Sequence, residues 1–196
     1  TPTEIVKYMV DKTLSKVCEG KTPSEILNIS VADIACGSGI FLEEAFAYLQ
    51  DYCVQWYICN GQTDHLIETG IDLYKLPLQE KKDILCSCIY GIDIDIHAVE
   101  VAKFSLLIKL IEDETAPSVS EVVPILPDLG DNIQFGNSLV SQTELNGISG
   151  ANRQMMEIAP FDWSTINNGC GFDVIIGNPP YVNTEGMHAL LPSAEV

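Results

Sequence analysis

Apolar residues recur along this 196-residue chain in two rhythms, and the changes between them mark its elements. Thr1-Pro2-Thr3-Glu4 reads as a capping box, with Thr at the cap, Pro at the first helical position and Glu at the third. Ile5, Met9 and Val17, with Val6, Val10 and Leu14 beside them, then predict a helix with one apolar face. A linker holding Gly20 and Pro23 leads to Ile29–Ala35, a run that reads as a buried strand. Phe41, Leu42, Ala45, Phe46, Leu49, Tyr52, Cys53 and Trp56 return to helical spacing, and Asn60-Gly61 is a helix stop. Residues 62–80 are mixed and predict an irregular or helical insert. Lys81–Cys88 reads as helix, Cys88–Ile94 as a second buried strand and His97–Ile111 as a second long helix. Pro117, Pro124 and Pro127 make 114–132 a loop. Ile133–Phe135 is a short third strand, 141–170 a polar stretch with few signals, and Phe172–Ile176 a fourth strand.

That order of elements predicts the α/β class: a doubly wound, mainly parallel, Rossmann-like sheet. The chain divides into an N-terminal helical region, 1–28, and an α/β core, 29–182, carrying a variable insert at 141–170. Ligands of such sheets bind beyond the carboxyl ends of the strands. Each predicted strand here ends in a glycine-rich or polar element, and these converge on one rim.

After the first strand comes Asp33-Ile34-Ala35-Cys36-Gly37-Ser38-Gly39, a tight turn that opens a helix. No third glycine completes a dinucleotide fingerprint, and no Gly-Lys-Ser/Thr completes a P-loop. Asp33 disfavours a phosphate there and suits a cation such as an amino group or a sulfonium. Asp93, directly after the second apolar strand, can accept hydrogen bonds from both hydroxyls of a ribose, whereas Asp95 suits the cap of the following helix. Asn137, after the third strand, offers a donor and an acceptor to a base edge, although Gly-Asn is equally an ordinary turn. Asn178-Pro179-Pro180-Tyr181 is the most informative element. Two successive prolines stiffen the backbone, so the Asn178 side-chain oxygen and the Pro179 carbonyl become two fixed acceptors, as an exocyclic amine requires. Tyr181 offers a ring for stacking.

Charge complicates this picture. Asp and Glu number 28 against 10 Lys and Arg, a net charge of −18, and Arg153 is the lone arginine. Such a surface repels phosphate backbones and anionic lipids, which excludes a stand-alone nucleic-acid binder or membrane-surface protein. The most apolar stretch, Val99–Ile111, is interrupted by Lys103 and Lys109 and too short to span a bilayer, and the N-terminus lacks a signal-peptide pattern. Seven cysteines without C-x-x-C spacing read as reduced thiols of a cytosolic core, so the expected location is cytoplasmic. The three scattered histidines give no expectation of a metal.

Together these motifs resemble the class I, S-adenosylmethionine-dependent N6-adenine DNA methyltransferases of restriction–modification systems. The nearest group is that of type I modification subunits and fused type IIG enzymes. Asp33 through Gly39, followed by Phe41 and Leu42, is similar to that family's glycine motif, with Ile34 in place of a frequent proline. The Asn178-Pro179-Pro180-Tyr181 run is similar to its catalytic motif without departure. The resemblance runs from residue 1 to about 182. It implies S-adenosylmethionine as cofactor, contacted by Thr1, Asp33, Ala35, Cys36, Gly37, Gly39, Phe41, Asp93, Ile94 and Asn137. Thr1-Pro2 would lie against the methionine part, Asp93 on the ribose and Ile94 and Asn137 at the adenine. Asn178, Pro179, Pro180 and Tyr181 would act on a flipped-out adenine of double-stranded DNA.

The same catalytic motif also occurs in enzymes that methylate protein glutamine or RNA bases, and a scaffold module could retain the fold, so these alternatives stand. The resemblance further implies later strands, a target-recognition region and a nuclease or specificity partner beyond residues 1–196. An excised portion of a larger protein, inactive alone, is therefore expected. Its missing half would carry the basic surface that this acidic portion lacks.

Overall fold

A computed structural model describes residues 1–115, 122–141 and 159–180. Its elements are α1 (Thr3–Cys18), α2 (Pro23–Ile26), β1 (Val31–Asp33), α3 (Ile40–Cys59), β2 (Ile67–Gly70), β3 (Leu73–Lys75), α4 (Leu78–Cys88), β4 (Ile89–Asp93), α5 (Ile96–Ile111), β5 (Ile133–Phe135) and β6 (Val174–Ile175). Four strands form one sheet in the order β5-β4-β1-β6, and every neighbouring pair is parallel. The chain goes from β1 to β4 on one side, while β6 lies on the other side of β1. That reversal is the topological switch point, where an open α/β sheet leaves a crevice.

Alternation along the strands sorts the core into two layers. Val31, Ile89, Ile133 and Val174 join the larger cluster with α1, α3, α4 and α5. Ala32, Tyr90 and Ile92 face the other way, against Phe161 and Ile166, with Phe172 beside them. Gly91 lets α3 approach β4, since a Cβ there would lie 2.7 Å from Leu42 Cδ1.

Several expectations need correction. The buried stripe of α1 is Val6, Val10, Leu14 and Cys18, while Ile5 is exposed and Met9 and Val17 are only partly buried. The T-P-x-E box at Thr1 does not form. The cap of α1 is Pro2, with no side-chain cap, and the first amides bond to the Pro2 carbonyl. The same pattern at Thr22-Pro23-Ser24-Glu25 closes fully on α2: Thr22 Oγ1 accepts from the Glu25 amide at 3.3 Å, and Glu25 Oε2 accepts from the Thr22 amide at 2.8 Å.

Residues 67–75 form an antiparallel hairpin, β2–β3, within the stretch expected to be irregular or helical. It is anchored at its Lys75 end, where Lys75 Nζ lies 3.1 Å from the Glu114 carboxylate and Lys81 bonds to the same group. Helix α4 starts three residues earlier than the periodicity indicates, at Leu78, and α5 one residue earlier, at Ile96. Near the end of the 141–170 insert, whose polar sequence carries few signals, Phe161 and Ile166 are buried in the second layer. Residues 142–158 of that insert lie outside the described residues.

All seven cysteines are free, with Cys18, Cys36, Cys53 and Cys88 buried. Among the described residues, no helix is long and apolar enough to cross a membrane.

Candidate active site

Two loops meet at the switch point. The first joins β1 to α3. Asp33 ends β1 as a carboxylate only 2% exposed, and its Oδ1 accepts from the Ala35 amide at 3.0 Å. The loop then turns through Gly37 and Gly39, whose φ angles of 54° and 91° fall in the left-handed region that glycine adopts without strain. Three hydrogen bonds tie it to neighbouring strand ends. The Cys36 amide donates to the Ile92 carbonyl at 3.0 Å, the Gly37 amide to Asp93 Oδ2 at 2.7 Å, and Ser138 Oγ to the Ile34 carbonyl at 2.7 Å. Gly39 also lets α3 approach α5, because a Cβ there would come within 3.1 Å of Ala102 Cβ.

Asp93 therefore has a structural task as well as an expected ligand task. Its Oδ1 accepts from the Asp95 amide at 2.9 Å while Oδ2 holds Gly37. An ionised carboxylate has about four lone-pair sites, so two backbone bonds leave room for ligand hydroxyls. Asp95 caps α5, accepting from the His97 amide at 2.9 Å. Ile94 stands between them, 56% exposed, at the mouth of the crevice.

Burial pushes the Asp33 carboxyl up to about 6, against the Ala35 amide, which favours the anion; the nearby Asp93 charge raises it further. Burial likewise pushes the Cys36 thiol up to about 12, with Asp33 and Asp93 adding to the shift. Cys36 is thus a neutral, unreactive thiol. A half-starved carboxylate beside a second acid is a place where a cation gains from both.

The second loop follows β6. Asn178, Pro179 and Pro180 are exposed, and Asn178 Nδ2 donates to Thr1 Oγ1 at 3.0 Å. Thr1, displaced from its expected cap, so joins the site from the far end of the chain. Tyr181 lies outside the described residues.

Gly177 is a residue that sequence reasoning passed over. A Cβ at that position would lie 2.7 Å from Asp33 Cγ and nearer still to Oδ1. Its φ is not left-handed, so glycine is needed here for room. Asp33 and the second loop are in contact through that gap. The signal was present as a Gly directly before Asn178, but what fills the gap is visible only in three dimensions.

Two other expected residues sit differently from the rest. Phe41 is 2% exposed and belongs to the core beneath the first loop. Asn137 is drawn into its own turn: its Oδ1 accepts from the Leu139 amide at 3.1 Å, and its amide donates to the Ala159 carbonyl at 2.6 Å. The remaining expected residues, Thr1, Asp33, Ala35, Cys36, Gly37, Gly39, Asp93, Ile94, Asn178, Pro179 and Pro180, lie on the loops and strand ends of one rim.

A parallel sheet with a glycine loop, two acids at adjacent strand ends and a stiff Asn-Pro-Pro loop at the switch point defines an α/β protein of the Rossmann-like class. Residues 87–194 match the family described as Eco57I restriction-modification methylase, and the chain belongs to that family. It is 45% identical over 192 residues, 98% of its length, to the type II restriction enzyme and methyltransferase RM.Eco57I of Escherichia coli. It is 34% identical over 137 residues, 67% of its length, to RM.MjaORFECS2P of Methanocaldococcus jannaschii, whose name assigns it provisionally to the same kind of enzyme. The chain spans 18% and 11% of the lengths of these two relatives.

Proposed function

We propose that these residues form the cofactor-binding and catalytic part of a DNA methyltransferase that uses S-adenosylmethionine and acts on N6 of adenine. The observation that carries this reading is the meeting of Asp33 with the Asn178 loop across Gly177, which puts a cation-favouring acid next to an amine acceptor.

The donor set fits that cofactor. Its amino-acid end carries one positive and one negative group. Asp33 suits the first, and the amides of the first turn of α3, which has no side-chain cap, suit the second. Asp93 suits ribose hydroxyls, and the exposed Ile94 suits the flat face of a base. When bound, the cofactor supplies an electrophilic methyl group on a sulfonium.

The chain's own work is positioning. The target amine is a weak nucleophile because its lone pair is delocalised into the ring. Asn178 Oδ1 and the Pro179 carbonyl accept its two N–H bonds and hold the nitrogen nearer tetrahedral, with the lone pair aimed across the crevice. Pro179 and Pro180 keep those acceptors from relaxing. Tyr181 stacks on the flipped base, a contact worth about 1–3 kcal/mol. DNA is held by surfaces outside these strongly acidic 196 residues, and by analogy with the named activities of the relatives a nuclease accompanies the methyltransferase.

The test is transfer of labelled methyl from S-adenosylmethionine to duplex DNA by the full-length protein, followed by digestion to nucleosides. Label in N6-methyl-2′-deoxyadenosine supports the reading. Label in cytosine, in RNA or in protein glutamine, or no transfer by folded protein, contradicts it.

A further inference from the structure

Thr1 and Thr22 open the same T-P-x-E pattern, yet only Thr22 spends its hydroxyl on its own helix. The Thr1 hydroxyl is turned across 177 positions of sequence to the Asn178 amide, with Nδ2 donating to Oγ1 at 3.0 Å. A carboxamide has its donor and its acceptor on opposite sides of the group, so fixing Nδ2 on Thr1 turns Oδ1 the other way.

We propose that Thr1 is a positioning residue for methyl transfer, setting the side-chain amide of Asn178 so that its oxygen faces the target amine. This rests on the reading of Asn178 as an acceptor of that amine, and it differs from a contact between Thr1 and the cofactor. Once Oδ1 takes a substrate N–H, the Nδ2 hydrogens must go to an acceptor, and Thr1 Oγ1 is one within hydrogen-bond reach. In a flipped amide, two N–H groups would confront each other where substrate binds. A hydroxyl at position 1 can donate as well as accept, and once the target amine occupies Oδ1 it serves as the acceptor that satisfies Nδ2 in the productive rotamer. The two prolines hold the backbone of the loop but have no hold on the Asn178 side-chain torsions, so this control has to come from another element.

The experiment compares Thr1→Val, which keeps shape and loses the hydroxyl, with Thr1→Ser, which keeps it, in the full-length protein. Thermal melts verify folding, calorimetry gives the S-adenosylmethionine Kd, and single-turnover methylation of duplex DNA gives the transfer rate. Thr1→Val is expected to slow transfer by roughly five- to tenfold, the worth of about one hydrogen bond, with the cofactor Kd unchanged. Thr1→Ser is expected to restore the rate. A parallel loss of cofactor affinity and rate would make Thr1 a cofactor contact and overturn the proposal, as would an unchanged rate in Thr1→Val. Asn178→Ala serves as the control: full transfer by that variant removes the underlying reading of Asn178, and the proposal with it.

Discussion

The loop after β1 and the loop after β6 face each other across one crevice and are held by different means. The first is fixed by three hydrogen bonds to two strand ends, through Ile92 and Asp93 at the end of β4 and Ser138 after β5, and by a buried carboxylate. The second is exposed, held by covalent stiffness at Pro179 and Pro180, by the gap at Gly177 and by one side-chain hydrogen bond to Thr1. A loop that cradles a ligand gains from many backbone ties, because these keep its amides in place before binding. Under the proposed function the second loop has to admit a large, flipped-out substrate, so it cannot be so enclosed, and stiffness built into its own chain replaces external ties.

This contrast can be broken from either side. The largest effect on cofactor affinity is expected at Asp93, which holds both Gly37 and the turn to α5. Asp93→Ala removes two charge-assisted bonds and should weaken S-adenosylmethionine by about 100-fold, read by calorimetry. An unchanged Kd would mean that the loop holds its shape without this tie.

Gly177→Ala strikes the second loop. The new methyl group has no room beside Asp33, and either the carboxylate or the loop must move. The expected cost is about 1–3 kcal/mol of stability in chemical denaturation, with slower transfer as the two loops separate. Stability equal to that of the parent would show that the contact yields freely.

Asp33→Asn sharpens the comparison through pH. The carboxyl is raised to about 6, chiefly by burial, so its ionised form is the costly one in the ligand-free fold. Its stabilising contribution is complete below the ordinary carboxylate range and is lost as pH rises through 6. At pH 7.5 the neutral amide should therefore raise ligand-free stability, by on the order of 1–3 kcal/mol, while weakening the cationic ligand. In the parent, cofactor affinity should fall below pH 6 by up to tenfold per pH unit, and in Asp33→Asn that slope should vanish. A variant that keeps the slope would assign the titration to another group.

The sheet was legible in the sequence because its strands are short apolar runs bounded by glycine, asparagine and aspartate, and its long helices repeat at 3.6 residues. Ile133–Phe135 appears with the bounds that its pattern implies. Hairpin β2–β3 was not legible, since it makes little use of the core: Glu68 and Thr69 are exposed, as are Ile71 and Leu73 at its turn, which blurs any alternation of inside and outside. The false cap at Thr1 and the true one at Thr22 are locally indistinguishable. What separates them is Asn178, remote in sequence and adjacent in space. Gly177 is a similar case, because a demand for room depends on who the neighbour is. Phe41 sits inside a motif at the crevice yet faces the core, because it lies on the buried side of α3.

The central claim is a division of labour, with the first loop holding the methyl donor and Asn178 holding the acceptor. Asn178→Ala in the full-length protein tests it most directly, by measuring the S-adenosylmethionine Kd and the rate of methyl transfer to duplex DNA on the same preparation. The predicted result is a Kd within twofold of the parent and transfer reduced by at least 100-fold. Loss of cofactor affinity in a folded variant, or retention of transfer, would contradict it.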